Sequence, residues 1–163
     1  MYKKFALLLP LVALLLGACH NDNDTPGPTI CPTDNAWSYT GQLDVTPLEG
    51  SPFTAFAESD IVFTLAPADE KTHTLMIPKI KFVEQMPVYI SFDVRGIELI
   101  DDEKGGFAFS IDETIPYRNG APYDPDGKGT YTIRNLRGSS PDGATLSVSF
   151  DCYTMHVDYR GNR

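Results

Sequence analysis

Thiols, imidazoles and a pair of carboxylates are the groups in this chain with the most chemistry available to them. Three cysteines stand at Cys19, Cys31 and Cys152, and three histidines at His20, His73 and His156. A zinc site needs ligands that converge, and none of the short His/Cys spacings that guarantee convergence occurs here. The stretch Asp124-Pro125-Asp126-Gly127 shares the first carboxylates of a calcium loop, making Asp124 and Asp126 a weak calcium candidate. It lacks the downstream bidentate glutamate, and Lys128 adds an opposing charge, so an acidic turn is the preferred reading. A Gly-x-Ser-x-Gly elbow, a phosphate loop and a Cys-x-x-Cys pair are all missing. The residues point to no enzyme and no cofactor.

Cys19 differs from the other two thiols in its setting. It follows Leu16-Gly17-Ala18, at the end of an apolar run from Phe5 to Leu16 that Lys3 and Lys4 precede. The run has the length of a signal-peptide core and falls short of the roughly 18 to 20 residues that a spanning helix needs. Leu16-Gly17-Ala18-Cys19 resembles the lipobox of bacterial lipoproteins. That resemblance implies cleavage after residue 18, lipidation at Cys19 and attachment to the membrane through an N-terminal lipid. Because one acyl chain holds only marginally, it also implies multiple acylation, palmitate included.

With residues 1–18 removed, 145 remain, enough for one domain that buries roughly two-thirds of its unfolded surface. The mature chain keeps 11 basic against 22 acidic residues, a net charge of −11. Such a balance excludes nucleic acid as a natural partner and leaves the lipid to do the anchoring. Lipidation consumes one cysteine, so Cys31 and Cys152 form an even pair in a compartment that permits disulfides, and a bridge between them is expected.

Residues 19–34 carry Pro26, Pro28 and Pro32 among Asn, Asp and Thr and show no apolar period, which makes them a tether. Asp22 and Asp24 resemble the acidic signals that route some lipoproteins to the cell face. The expected location is therefore the bacterial outer membrane, with the domain facing either the periplasm or the outside.

From Trp37 onward the dominant period is two. Alternating apolar positions mark eight strands, around Trp37–Val45, Ile61–Leu65, His73–Phe82, Val88–Leu99, Phe107–Ile111, Tyr131–Ile133, Leu146–Phe150 and Met155–Tyr159. Pro78 marks a bulge or an edge, since proline cannot donate to a ladder, and Gly96 marks a bend. No window of a dozen residues after Cys19 holds a helical period. Eight short strands with turns at this spacing predict an all-β domain over residues 35–163, a barrel or a sandwich.

Tyr39-x-Gly41-x-Leu43, Ile80-x-Phe82, Gly96-Ile97, Ile115-Pro116, Leu136-x-Gly138 and Val157-x-Tyr159-x-Gly161 resemble the calycin-like barrel domain of bacterial lipoproteins. Trp37 is similar in placement to the tryptophan that plugs one barrel end in true lipocalins, although Asn35-Ala36 replaces the family's Gly-x before it. The resemblance implies an eight-stranded antiparallel barrel and carries no catalytic residue.

Eight strands enclose room for side chains or one small ligand. The segment Pro116 to Gly129 is long for a hairpin and holds Tyr117, Arg118 and Tyr123. Tyrosine offers a flat apolar face with a polar handle, so these residues are the expected ligand contacts at a barrel mouth, Arg118 meeting an anion. Three functions follow. The first is a lipid-anchored, non-catalytic module binding a small apolar, amphipathic or glycan ligand. The second is a structural or interaction module whose barrel fills itself and whose loops meet an envelope protein, and the third is an extracytoplasmic hydrolase.

Overall fold

The computed structural model describes residues 35–102 and 104–163, so the leader, Cys19, the tether and Cys31 lie outside the described residues. The alternation becomes strands β1 (Trp37–Pro47), β2 (Phe56–Pro67), β3 (Thr72–Ile80), β4 (Ile90–Glu98), β5 (Ile100–Asp101) and β6 (Phe107–Thr114). Two short strands follow, β7 (Tyr117–Arg118) and β8 (Ala121–Pro122), then β9 (Ile133–Ser140), β10 (Thr145–Cys152) and β11 (Met155–Asn162). All eleven pair antiparallel in one curled sheet of order β5-β6-β9-β10-β11-β1-β2-β3-β4-β7-β8. The described residues contain no helix.

The eight strands of eight residues or more each overlap one of the eight expected from the alternation, although Tyr131, expected to begin the sixth, precedes its first residue Ile133. β5, β7 and β8 are additional, and two residues cannot display a period of two. β5 follows β4 after the single residue Leu99 and pairs with the start of β6. β4 and β6 touch without a ladder between them.

Bulges give the sheet its curl. On β3 the pairing passes from Ile77↔Phe92 to Ile80↔Ile90, so Pro78 sits where one extra residue is absorbed. Opposite, the pairing skips from His73↔Ile97 to Leu75↔Val94 across Gly96, whose φ is 73°. Asp60 at φ 60° and Asn135 at φ 54° occupy the corresponding irregularities on β2 and β9. Each bulge increases local twist and bends its strand, which lets a single sheet wrap a core.

That core combines aliphatic side chains with stacked aromatic rings. Phe63 and Tyr159 stack with centroids 3.9 Å apart, and both are fully or almost fully buried with Tyr39, Phe82 and Phe150. Tyr159 Oη donates to the Tyr39 carbonyl at 2.6 Å, which satisfies a hydroxyl that burial would otherwise penalise. Burial pushes the Tyr159 phenol up to about 12. A Cβ at Gly138 would stand 2.0 Å from the Phe109 ring, so that ring occupies the space a side chain would take.

Candidate functional site at the Trp37 end

The expected ligand loop folds into a small hairpin. Asn119 and Gly120, at φ 51° and 79°, form the two-residue turn between β7 and β8, where positive φ at both central positions matches the twist of the flanking strands. Tyr117 pairs with Asp93 on β4, and the Arg95 guanidinium lies 4.2 Å from its ring. Arg118 sits 5.2 Å over the Tyr123 ring and donates from Nη1 to its hydroxyl at 3.4 Å. Tyr123 in turn lies 5.1 Å from Tyr131, which neighbours Phe82 at 6.1 Å and Tyr153 at 6.4 Å. The structure therefore brings Arg118 and Tyr123 together and sends Tyr117 to another arginine. Tyr123 packs against the core, closing this end of the sheet with aromatic rings.

The two carboxylates of the acidic turn serve the backbone. Asp124 Oδ1 accepts from Gly129 N at 2.9 Å, and Asp126 accepts from Lys128 N and from the Thr130 hydroxyl. The Thr130 bond is the main reason that the Asp126 carboxyl titrates below its ordinary range. Among the described residues no group of three or more His, Cys, Asp or Glu is placed to hold a metal ion.

Cys152 is a free thiol with 1% exposure that donates weakly to the Tyr131 carbonyl at 3.5 Å. Burial pushes it up from 9.0 to about 12. The ladders set Cys152 level with Met155 and Pro47, at the end of β1 opposite Trp37. The sulfur is turned into the core, and its expected partner Cys31 lies outside the described residues.

On the outer face, His156 is held between two carboxylates, with Nδ1 2.6 Å from Asp151 and Nε2 3.4 Å from Asp158. Asn135 Nδ2 donates to the second Asp151 oxygen at 2.7 Å. Both ring nitrogens thus face acceptors, and neither is left to activate a nucleophile. A neighbouring depression of about 410 Å³ is lined by Ser110, Ser139, Ser147 and Ser149 among others, with Arg137 in its lining tied to Asp112 at 2.9 Å.

A larger cavity, about 590 Å³, lies at the Trp37 end and is assembled from six parts of the chain. Trp37 comes from the start of β1, Glu70 and Lys71 from the β2–β3 turn, and His73 from β3. Glu98 ends β4, Leu99 links it to β5, and Asp101 belongs to β5. Asp69 fixes the turn by accepting from Lys71 N at 2.8 Å and Thr72 N at 2.7 Å, with the Thr72 hydroxyl on its other oxygen at 2.8 Å. Trp37 stacks on His73 at 5.9 Å and reaches across to Phe107 on β6 at 5.4 Å. These three rings form a layer over the core, and the charged side chains stand around them.

Desolvation lowers the His73 pKa below the ordinary histidine value, with Asp101 and then Asp69 acting in the opposite direction. Its Nδ1 is buried and has no hydrogen-bond partner among the described residues. An orphan polar atom of this kind is costly unless something else meets it. Of the lining residues, the sequence marks Trp37 and His73. Glu70, Lys71, Glu98 and Asp101 read there as ordinary surface charges, and the bulged β3–β4 pairing and the one-residue link to β5 bring them together with His73.

Comparison with protein-family models, with curated proteins and with solved structures finds no match to this chain.

Proposed function

We propose that this chain is a bacterial lipoprotein, cleaved after residue 18, lipidated at Cys19 and carried on the outer membrane by that lipid, with a calycin-like barrel as its working domain. The lipobox-like Leu16-Gly17-Ala18-Cys19 supports the anchor, and the Pro-rich tether supports a domain held away from the lipid. Support for the barrel comes from strand order. Taken alone, the eight long strands follow one another around the sheet in chain order, and β5, the continuation of β4, pairs with β6 where such a ring must close.

The domain acts by binding and not by catalysis. The observation that carries this reading is the contrast between a packed interior and the cavity of about 590 Å³ over the Trp37 layer, a volume within the usual range for small-molecule sites. A small amphipathic or glycan ligand would therefore sit at the Trp37 end and outside the core. The packed interior also favours a second reading, a self-filled structural module that meets another envelope protein.

Metabolic labelling with radioactive palmitate tests the anchor. The wild-type chain should incorporate label, and Cys19→Ala should accumulate as an unlabelled, uncleaved precursor. Normal labelling of that variant would remove the lipoprotein reading.

A further inference from the structure

We propose that the β7–β8 hairpin is a strap across the seam between β4 and β6, and that it lifts from β4 about its own base while the rest of the sheet stays folded. This stands apart from both the lipid anchor and the cavity at the Trp37 end.

Among the described residues, the long strands pair around a ring that lacks a ladder only between β4 and β6. Two short crossings span that seam. At the Trp37 end β5, the continuation of β4, pairs with β6 at Ile100↔Ala108 and Asp101↔Phe107. Toward the other end β7, which follows β6 after Ile115-Pro116, pairs with β4 at the single position Asp93↔Tyr117. From Phe109 onward β6 pairs with β9 alone, so its seam side has no ladder there.

The hairpin is held within itself better than it is held to β4. Tyr117 pairs with Pro122 and Arg118 with Ala121, and the Arg118 guanidinium lies over the Tyr123 ring. Toward β4 it offers one residue pair and the Tyr117 ring on the Arg95 guanidinium. Its base is fixed, because Pro116 is buried, Tyr123 packs against the core, and Tyr123 N donates to the Pro116 carbonyl at 2.7 Å. An element closed on itself and thinly attached outside its base opens at a lower free energy than the whole domain.

Docking also has a cost. Asp93 is partly buried, and desolvation raises its carboxyl above the ordinary range against the pull of Arg95. Lifting Tyr117 gives that carboxylate back to water. It also bares the β4 edge around Asp93, and a bared edge is a template for an added strand.

Spin labels on Ala121→Cys, exposed on the hairpin, and Arg160→Cys, exposed on β11, report the strap position as a distance. The full-length protein in detergent carries Cys19→Ala, Cys31→Ala and Cys152→Ala as well, so that only the two labels are present. This parent should show one major distance, and Tyr117→Ala should make a second, longer distance the major one. Arg95→Met, which keeps the aliphatic stem and removes the guanidinium, should raise the share of the longer distance about threefold. Emission of Trp37, the only tryptophan, and the thermal midpoint should scarcely move in either variant.

The proposal is overturned if both variants keep the distance distribution of the parent. It is equally overturned if the longer distance appears only with a changed Trp37 emission and a midpoint lowered as far as Tyr123→Ala lowers it, since the hairpin would then belong to the single folding unit. Should Tyr117→Ala fail to fold, the Arg95→Met distances decide.

Discussion

Gly138 shows most directly how single residues set the interior. Its absent side chain is the space into which the Phe109 ring projects, and an added Cβ would meet that ring at 2.0 Å on β6, the neighbouring strand. Overpacking of this kind costs about 1 to 3 kcal/mol. Gly138→Ala should therefore lower the unfolding free energy measured in urea by an amount in that range, and an unchanged midpoint would mean that Phe109 has room to leave. Cys152 makes the second residue-scale case. In the native protein it should resist iodoacetamide, and after denaturation without reductant it should alkylate fully, whereas a bridge to Cys31 would keep it protected. Its folded pKa of about 12 lies above the 9.0 of a free thiol. Stability from this raised group is complete below pH 9 and is lost as pH rises toward 12, by roughly 1 kcal/mol per pH unit. Cys152→Ala should flatten that alkaline limb of the urea-midpoint profile.

Among the elements, the β7–β8 hairpin separates what the sequence displays from what it conceals. Asn119-Gly120 is a strong turn signal, and it forms the turn between β7 and β8. The role of the tyrosines was not legible, because their partners Arg95 and Tyr131 lie at distant sequence positions and no local pattern links them. Tyr123 packs against the core and Tyr117 stacks on an arginine at the sheet margin. Tyr123→Ala should accordingly lower the thermal midpoint by several degrees, corresponding to about 1 to 3 kcal/mol, and Tyr117→Ala should lower it by much less. Equal shifts for the two variants would show that the hairpin docks as a unit and that the contact with Tyr131 has no special weight. The long strands were legible for the opposite reason. Tyr39, Leu43 and Val45 on β1 alternate with exposed Thr40, Gln42 and Asp44, so one face announces itself over a run of residues. Pro78 and Gly96 could be placed at irregularities because each carries its own backbone restriction, while the bulges at Asp60 and Asn135 occur at residues that read as ordinary polar positions.

At the scale of the whole molecule, a sheet that curls through four irregular pairings leaves two unlike ends. One is shut by Tyr123, Tyr131, Phe82 and Tyr153, and the other carries the Trp37, His73 and Phe107 layer with its charged surround. Between them the interior is packed with the protein's own aliphatic and aromatic side chains. Whether the core is in fact self-filled decides between this account and a barrel that carries an apolar cargo, and native mass spectrometry decides it directly. The chain lacking residues 1–18 is incubated with excess long-chain fatty acid and ionised from non-denaturing buffer. The account predicts the mass of the polypeptide alone, whereas a one-to-one complex that denaturation dissociates would contradict it.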